Sequence, residues 1–164
     1  MSITVRSAAE ADAPEMSRIL TRSITELCAA DHQGDPAAIA AWTANKTEAG
    51  VLAMLATEGV ELYVAERDGV MLAVGAVERD TVGLNYVDPR HRRTGASRAL
   101  MLALEDVLRA RGVEVAKLRS TATARDFYLA MGWSEDGPAT EGRFISAYPM
   151  RKMLDRPAAR PAPD

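Results

Sequence analysis

The sequence predicts a mixed α/β (α+β) domain in which one sheet packs between helices. Three observations carry this. The first sixty residues repeat apolar side chains at helical spacing after one short alternating run. Residues 61–87 then change to strand-like apolar runs, punctuated by Asp68-Gly69 and Asp80-Thr81. Finally, two helix-period segments, each closed by a glycine, alternate with further strand patterns.

Taken in order, Ile3 to Arg6 alternates and reads as a first strand, and Ser7 is placed to cap the next element. Pro14 sits where a helix start tolerates proline, and Met16, Ile19, Leu20, Ile24 and Leu27 mark the buried face of a helix to about Cys28. Asp31 to Asp35 is a polar break. Pro36 opens a second helix through Trp42, and a third covers Glu48 to Thr57. Glu61 to Glu66 and Val70 to Val77 are strands joined at Asp68-Gly69, the second apolar enough to be covered on both faces. Val82 to Val87 is another strand, which Pro89 cannot continue. A helix over Gly95–Arg111 is capped by Gly112, Val113 to Leu118 is a strand, and Ala122 to Met131 is a helix closed by Gly132. Trp133 to Glu135 and Arg143 to Met153 form a closing hairpin.

The 164 residues suit one domain, expected over 1–154, and the Pro- and Ala-rich 155–164 is expected to be a disordered tail. A net charge of −3 gives no bulk electrostatic case for nucleic acid or an anionic membrane. No apolar stretch approaches the roughly 20 residues that span a bilayer, and the N-terminus has no secretory apolar core. One cysteine, Cys28, excludes an internal disulfide. A cytoplasmic protein is expected. No His/Cys/Asp/Glu cluster has metal-ligand spacing, so no metal is expected.

The chemistry concentrates at Tyr86-Val87-Asp88-Pro89-Arg90-His91-Arg92-Arg93-Thr94-Gly95-Ala96-Ser97. A strand ends, a small-residue turn comes next and a long helix begins. The first N–H groups of such a helix lack intrahelical acceptors and point at one spot, where the helix dipole adds positive charge. An anion satisfies them. Gly95 permits close backbone approach, and Arg90, Arg92, Arg93 and Arg98 add charge. A solvated basic turn is the competing reading. The turn is neither a P-loop nor a dinucleotide fingerprint.

These residues resemble the central motif of the GNAT acetyltransferases, R/Q-x-x-G-x-G/A preceded by V-x-P. Val87, Pro89, Arg92 and Gly95 match, and Ser97 stands where the family has Gly or Ala. The family's second motif, A-x-x-F-Y-x-x-x-G-F/W, corresponds to Ala124 through Trp133. The resemblance covers roughly residues 2–154. It implies a mostly antiparallel sheet with helices on both faces and a V-shaped splay between central strands. It also implies acetyl-CoA as acyl donor, with Asn85, Tyr86 and Val87 offering backbone groups to the pantetheine arm. Arg92, Arg93, Thr94, Gly95, Ala96, Ser97 and Arg98 would then hold the pyrophosphate. Thr121 stands where relatives carry a cofactor-contacting Asn. Tyr128 corresponds to the tyrosine that protonates the departing thiolate; packing of helix on sheet is its other reading.

The base that some relatives place on the preceding strand is absent, since Ala116 occupies that position. Glu78, ending the long central strand, is the candidate general base, with water or an exposed carboxylate as the alternative. The acceptor is expected over the N-terminal helices, near Cys28, His32 and Trp42, though Trp42 also reads as core and His32 as a surface residue. The expected activity is acetyl transfer to the primary amine of a small molecule by direct attack. Transfer to a protein N-terminus or lysine, and acyl-CoA sensing without turnover, are the alternatives. A homodimer through the C-terminal strands is an expectation from fold analogy.

Overall fold

Residues 2–142 and 144–155 are described by a computed structural model. The elements run β1 (Thr4–Ser7), a 3-10 turn (Glu10–Asp12), α1 (Ala13–Leu27), α2 (Ala29–His32), α3 (Pro36–Thr43) and α4 (Glu48–Ala56). They continue with β2 (Val60–Arg67), β3 (Val70–Glu78), β4 (Thr81–Val87), a 3-10 turn (Pro89–His91) and α5 (Ala96–Ala110). The chain closes with β5 (Val115–Ser120), α6 (Arg125–Ala130), β6 (Ser134–Glu135), β7 (Thr140–Glu141) and β8 (Ser146–Met153). The expected tail, except Asp155, and Arg143 in the closing hairpin lie outside the described residues.

The sheet order is β1-β2-β3-β4-β5-β8-β6, with β7 also on β8. Every pairing is antiparallel except β4 with β5. Two cores form on the two faces. On one, α5 lays Leu100, Met101, Leu104 and Leu108 against Leu72, Val77 and Leu118. On the other, α1 lays Met16, Ile19 and Leu20 against Leu62, Val64 and Val74. β3 is buried from Met71 to Val77 because both faces are covered. A Cβ at Gly75 would come within 3.0 Å of Leu104 and 3.1 Å of Leu100, so glycine lets α5 sit close to the central strand.

The structure departs from the expected boundaries in identifiable ways. Ser7 stays in β1 instead of capping a helix. The polar break begins with the one-turn α2, held because the His32 ring folds back: Nε2–H donates to the Ile24 carbonyl (2.9 Å) and Nδ1 accepts from the Gly34 N–H (3.0 Å). β5 starts at Val115 because the Val113 N–H is still bonded to the Leu108 carbonyl in the cap of α5. α6 starts only at Arg125. The Thr121 hydroxyl accepts from the Ala124 N–H, and Asp31 takes the N–H groups of Ala122 and Thr123, so these residues form a capped turn.

The feature that makes a site is the parting of β4 from β5. Their parallel ladder pairs only Thr81 with Lys117 and Val82 with Leu118. At the same place β4 carries a bulge. Val82 opposes Val77 and Leu84 opposes Ala76, leaving Gly83 as the extra residue. A bulge bends its strand and ends regular pairing. From Gly83 to Val87, β4 therefore keeps β3 on one side and presents an open edge to the splay.

Candidate active site

A cavity of about 400 Å³ fills this splay. Its walls come from Ser23, Leu27 and Cys28 on α1, Val82 to Val87 on β4, the turn before α5, Thr121 and Thr123 after β5, and Phe127 and Tyr128 on α6.

At one end, His91, Arg92, Arg93, Gly95, Ala96, Ser97 and Arg98 line the cavity. Gly95 has φ 87° and Arg93 φ 60°, both left-handed, so the chain doubles back just before α5. No side chain caps this helix. Its first N–H groups are thus available to an anion, reinforced by the dipole of a 15-residue helix. Arg92, Arg93 and Arg98 have no ion-pair partner among the described residues.

The turn is fixed from behind by Asp88, whose side chain is 0% exposed. Asp88 accepts from Arg18 of α1 (2.7 Å), from the Arg90 side chain (3.1 Å) and from the Arg90 N–H (3.0 Å). Burial alone would raise its pKa, but these bonds outweigh burial and hold the carboxyl well below the usual range. Arg90 is therefore committed to Asp88 and does not line the cavity.

Deeper in, Tyr128 is 6% exposed and packs edge-on against Phe127 and Trp133. Its hydroxyl oxygen accepts a long hydrogen bond, 3.5 Å, from Asn85 Nδ2 across the splay. Burial pushes the phenol pKa up to about 12, and the Asn85 bond works in the opposite direction. The oxygen takes a hydrogen bond there without using the phenol's own hydrogen, which is left for a group inside the cavity. Asn85 Oδ1 is buried without a partner among the described residues, an acceptor directed at a cavity-lining position.

The opposite wall is apolar. Cys28 packs with Ile24 and Trp42, with Tyr86 and Ile145 against them. Burial, then the charge of Asp31, pushes the Cys28 thiol up to about 12, which keeps it an inert small hydrophobe. Asp31 straps this wall to the other side. Its carboxylate accepts from the Ala122 N–H (2.7 Å), the Thr123 N–H (3.2 Å) and the Thr123 hydroxyl (2.6 Å).

The GNAT acetyltransferase domain model matches residues 17–154. The chain belongs to the GNAT acetyltransferase family. No curated protein matches it significantly. Among solved structures, it is similar to a GCN5-related N-acetyltransferase from Rhodopseudomonas palustris, at 24% identity and a TM-score of 0.83 over 94% of this chain and 97% of that one. It is also similar to the PaiA N-acetyltransferase from Thermoplasma acidophilum solved with coenzyme A (16%, 0.79, 93% and 99%). A third is a phosphinothricin acetyltransferase from Sinorhizobium meliloti in complex with AcCoA (20%, 0.71, 99% and 94%). These likenesses concern the fold.

In this GNAT acetyltransferase, Asn85, Tyr86, Val87, Arg92, Arg93, Gly95, Ala96, Ser97, Arg98, Thr121 and Tyr128 converge on one cavity, and Cys28 joins them. Thr94 does not line it; its hydroxyl donates to the His91 carbonyl at 2.7 Å and braces the turn. Thr121 lines the cavity with its oxygen already capping α6. Glu78 is exposed at the far end of β3 and is not among the lining residues, so the structure does not bring this carboxylate to the site. His32 is 4% exposed and turned into its own helical corner, contrary to a surface position. Trp42, 7% exposed, lies behind the wall, where its indole N–H bonds the Tyr86 hydroxyl. Asp88, Asp31, the Asn85 side chain and Gly83 escaped the sequence reading. Only Gly83 had a local signal, an isolated glycine inside a strand pattern.

Gly83 gives a direct test of the cavity. A Cβ there meets no heavy atom within 4 Å, so Gly83→Leu extends into open space without disturbing the sheet. Acetyl-CoA binding by calorimetry should weaken about tenfold or more, about 1.4 kcal/mol, with an unchanged thermal midpoint. Unaltered affinity would mean that the donor lies elsewhere.

Proposed function

We propose that this chain is a cytoplasmic N-acetyltransferase that moves an acetyl group from acetyl-CoA to the primary amine of a small acceptor, by direct attack within a ternary complex. The observation that carries the reading is one cavity joining an uncapped, arginine-flanked helix start to a buried tyrosine hydroxyl, along an open strand edge. An anion site, a linear groove and a proton donor in that order suit a long phosphorylated thioester.

Acetyl-CoA supplies the activated acetyl group. The N–H groups of Ala96, Ser97 and Arg98, with Arg92 and Arg93, bind its pyrophosphate. The edge from Asn85 to Val87 pairs with the pantetheine arm, and an N–H there polarises the thioester carbonyl. The acceptor nitrogen bonds the acetyl carbon as the C–S bond breaks. Tyr128 gives its proton to the sulfur, and Asn85 Nδ2 stabilises the phenolate left behind. The proton shed by the new amide nitrogen restores the phenol through water. No step requires an acyl-enzyme, in keeping with a Cys28 thiol held at about 12.

Calorimetric titration with acetyl-CoA, CoA and ATP tests the reading. Both CoA forms should bind in the micromolar range and ATP should not compete. Gly95→Glu, which forces a side chain into a φ of 87° and adds an anion at the turn, should weaken both by about tenfold or more. Failure of either CoA form to bind would overturn the assignment. Binding accompanied by acetylation of peptides alone would move the acceptor to the protein class.

A further inference from the structure

The acceptor can be narrowed by the chemistry of the wall it must cross, which rests on the acetyl-transfer reading above. The α1-side wall is built from Leu27, Cys28, Leu84 and Tyr86. The fixed charges lining the cavity, Arg92, Arg93 and Arg98, are all cationic. The nearest carboxylate described beside it, Asp31, has both oxygens committed to Ala122 and Thr123. An ammonium ion entering this space therefore meets apolar surface and like charge. Leaving a cation unpaired in such a setting costs several kcal/mol.

We infer that the acceptor is a monoamine with an apolar body and a weakly basic nitrogen, such as an α-amine beside a carbonyl, which enters already neutral. Polyamines and strongly basic alkylamines are excluded by the same wall.

The other titratable groups facing the cavity agree with this. Tyr128 and Cys28 are both pushed up to about 12 by burial, so neither takes a proton from an ammonium at neutral pH. Burial raises the Tyr86 phenol as well. His91 belongs to the anion-binding turn, at the cofactor end of the cavity. The deprotonation step is thus left to the acceptor in water, before binding. An α-amine, with pKa about 7.7–8.0, is roughly one-third neutral at pH 7.5, whereas an alkylamine near 10.4 is neutral only about once in 800.

The experiment uses the full chain with acetyl-CoA and three probes: phenylalaninamide, phenethylamine and spermidine. The first two share an apolar body and differ in basicity. At pH 7.5, kcat/KM for phenylalaninamide should exceed that for phenethylamine by on the order of 10². Its pH profile should rise to a plateau near the amine's own pKa, while the phenethylamine profile climbs with unit slope past pH 9. A peptide beginning with phenylalanine, run alongside, separates a small amine from a chain end: faster turnover of the peptide assigns the same chemistry to a protein N-terminus.

A rising limb with one midpoint for both amines would reveal an enzyme-borne base and overturn the inference. So would a preference for spermidine, or acetyl-CoA binding with turnover of none of the probes. Loss of acetyl-CoA binding itself would instead bring down the acetyl-transfer reading on which the inference rests.

Discussion

Replacing Tyr128 by phenylalanine should lower kcat by about 10² to 10⁴, the range of a lost positioned proton donor, while acetyl-CoA affinity stays the same. The substitution removes one oxygen from a ring clamped between Phe127 and Trp133, so packing survives. The hydrogen bond it loses is the long one from Asn85, at 3.5 Å. A structural role alone would appear as lost stability with activity scaled to the folded fraction. Stopped-flow or coupled thiol-release assays, beside thermal melts, separate the two. The pH dependence adds a second readout. The folded phenol is raised from 10 to about 12, so the proton stays in place through the neutral range and no falling limb should appear below about pH 11. The same shift fixes the sign for stability. The folded state holds this proton more tightly than the unfolded chain, so its contribution is intact below pH 10 and is lost as pH rises through 10 to 12. Retention of full activity in Tyr128→Phe would end its role as donor.

The fold was legible because its elements are written locally. Asp68-Gly69 takes left-handed φ values of 53° and 76°, the geometry a two-residue hairpin asks for. α1 and α5 have regular apolar stripes that each find one face of the sheet. The anion-binding turn was legible for the same reason: Gly95 and the helix behind it are contiguous. What could not be read depends on contacts distant in sequence. Asp31 meets Thr123 across 92 positions, and Asp88 meets Arg18 across 70. No periodicity encodes either. Glu78 looked like a site residue because it ends the strand beside β4, but the splay opens beyond Val82, away from it. His32 and Trp42 were placed near the acceptor by position alone; folding back of α2 turned them against each other, ring centroids 6.4 Å apart, behind the wall. The bulge at Gly83 is the intermediate case, where a local residue sets the distance between two strands.

The largest effect on stability is expected remote from the cavity, at Glu105 of α5 and Lys152 of β8. Glu105 is 1% exposed and Lys152 21%. Lys152 Nζ lies 2.7 Å from Glu105 Oε1, close enough for an ion pair but without the direction of a good hydrogen bond, and it donates to the Met131 carbonyl at 2.8 Å. Glu105 Oε2 has no hydrogen-bond partner among the described residues. Removing one member of a buried pair costs about 3–5 kcal/mol, because the other charge is left behind. The asymmetry in burial decides which removal costs more. In Glu105→Leu the lysine can extend toward water. In Lys152→Met the carboxylate stays sealed under α5, and the Met131 carbonyl loses its donor. Lys152→Met should therefore lower the thermal midpoint more, by about 10 °C or more at a few degrees per kcal/mol. In that variant burial raises the pKa of Glu105, so stability is best below the unfolded carboxyl value, about 4.3, and falls as pH rises toward neutrality. The double variant Glu105→Leu/Lys152→Met should recover most of the loss, since two apolar side chains of similar volume replace an imperfect pair. Urea denaturation of the four proteins closes a double-mutant cycle. Additive losses would show that the two side chains act separately, and that the pair does not join α5 to β8 as a unit.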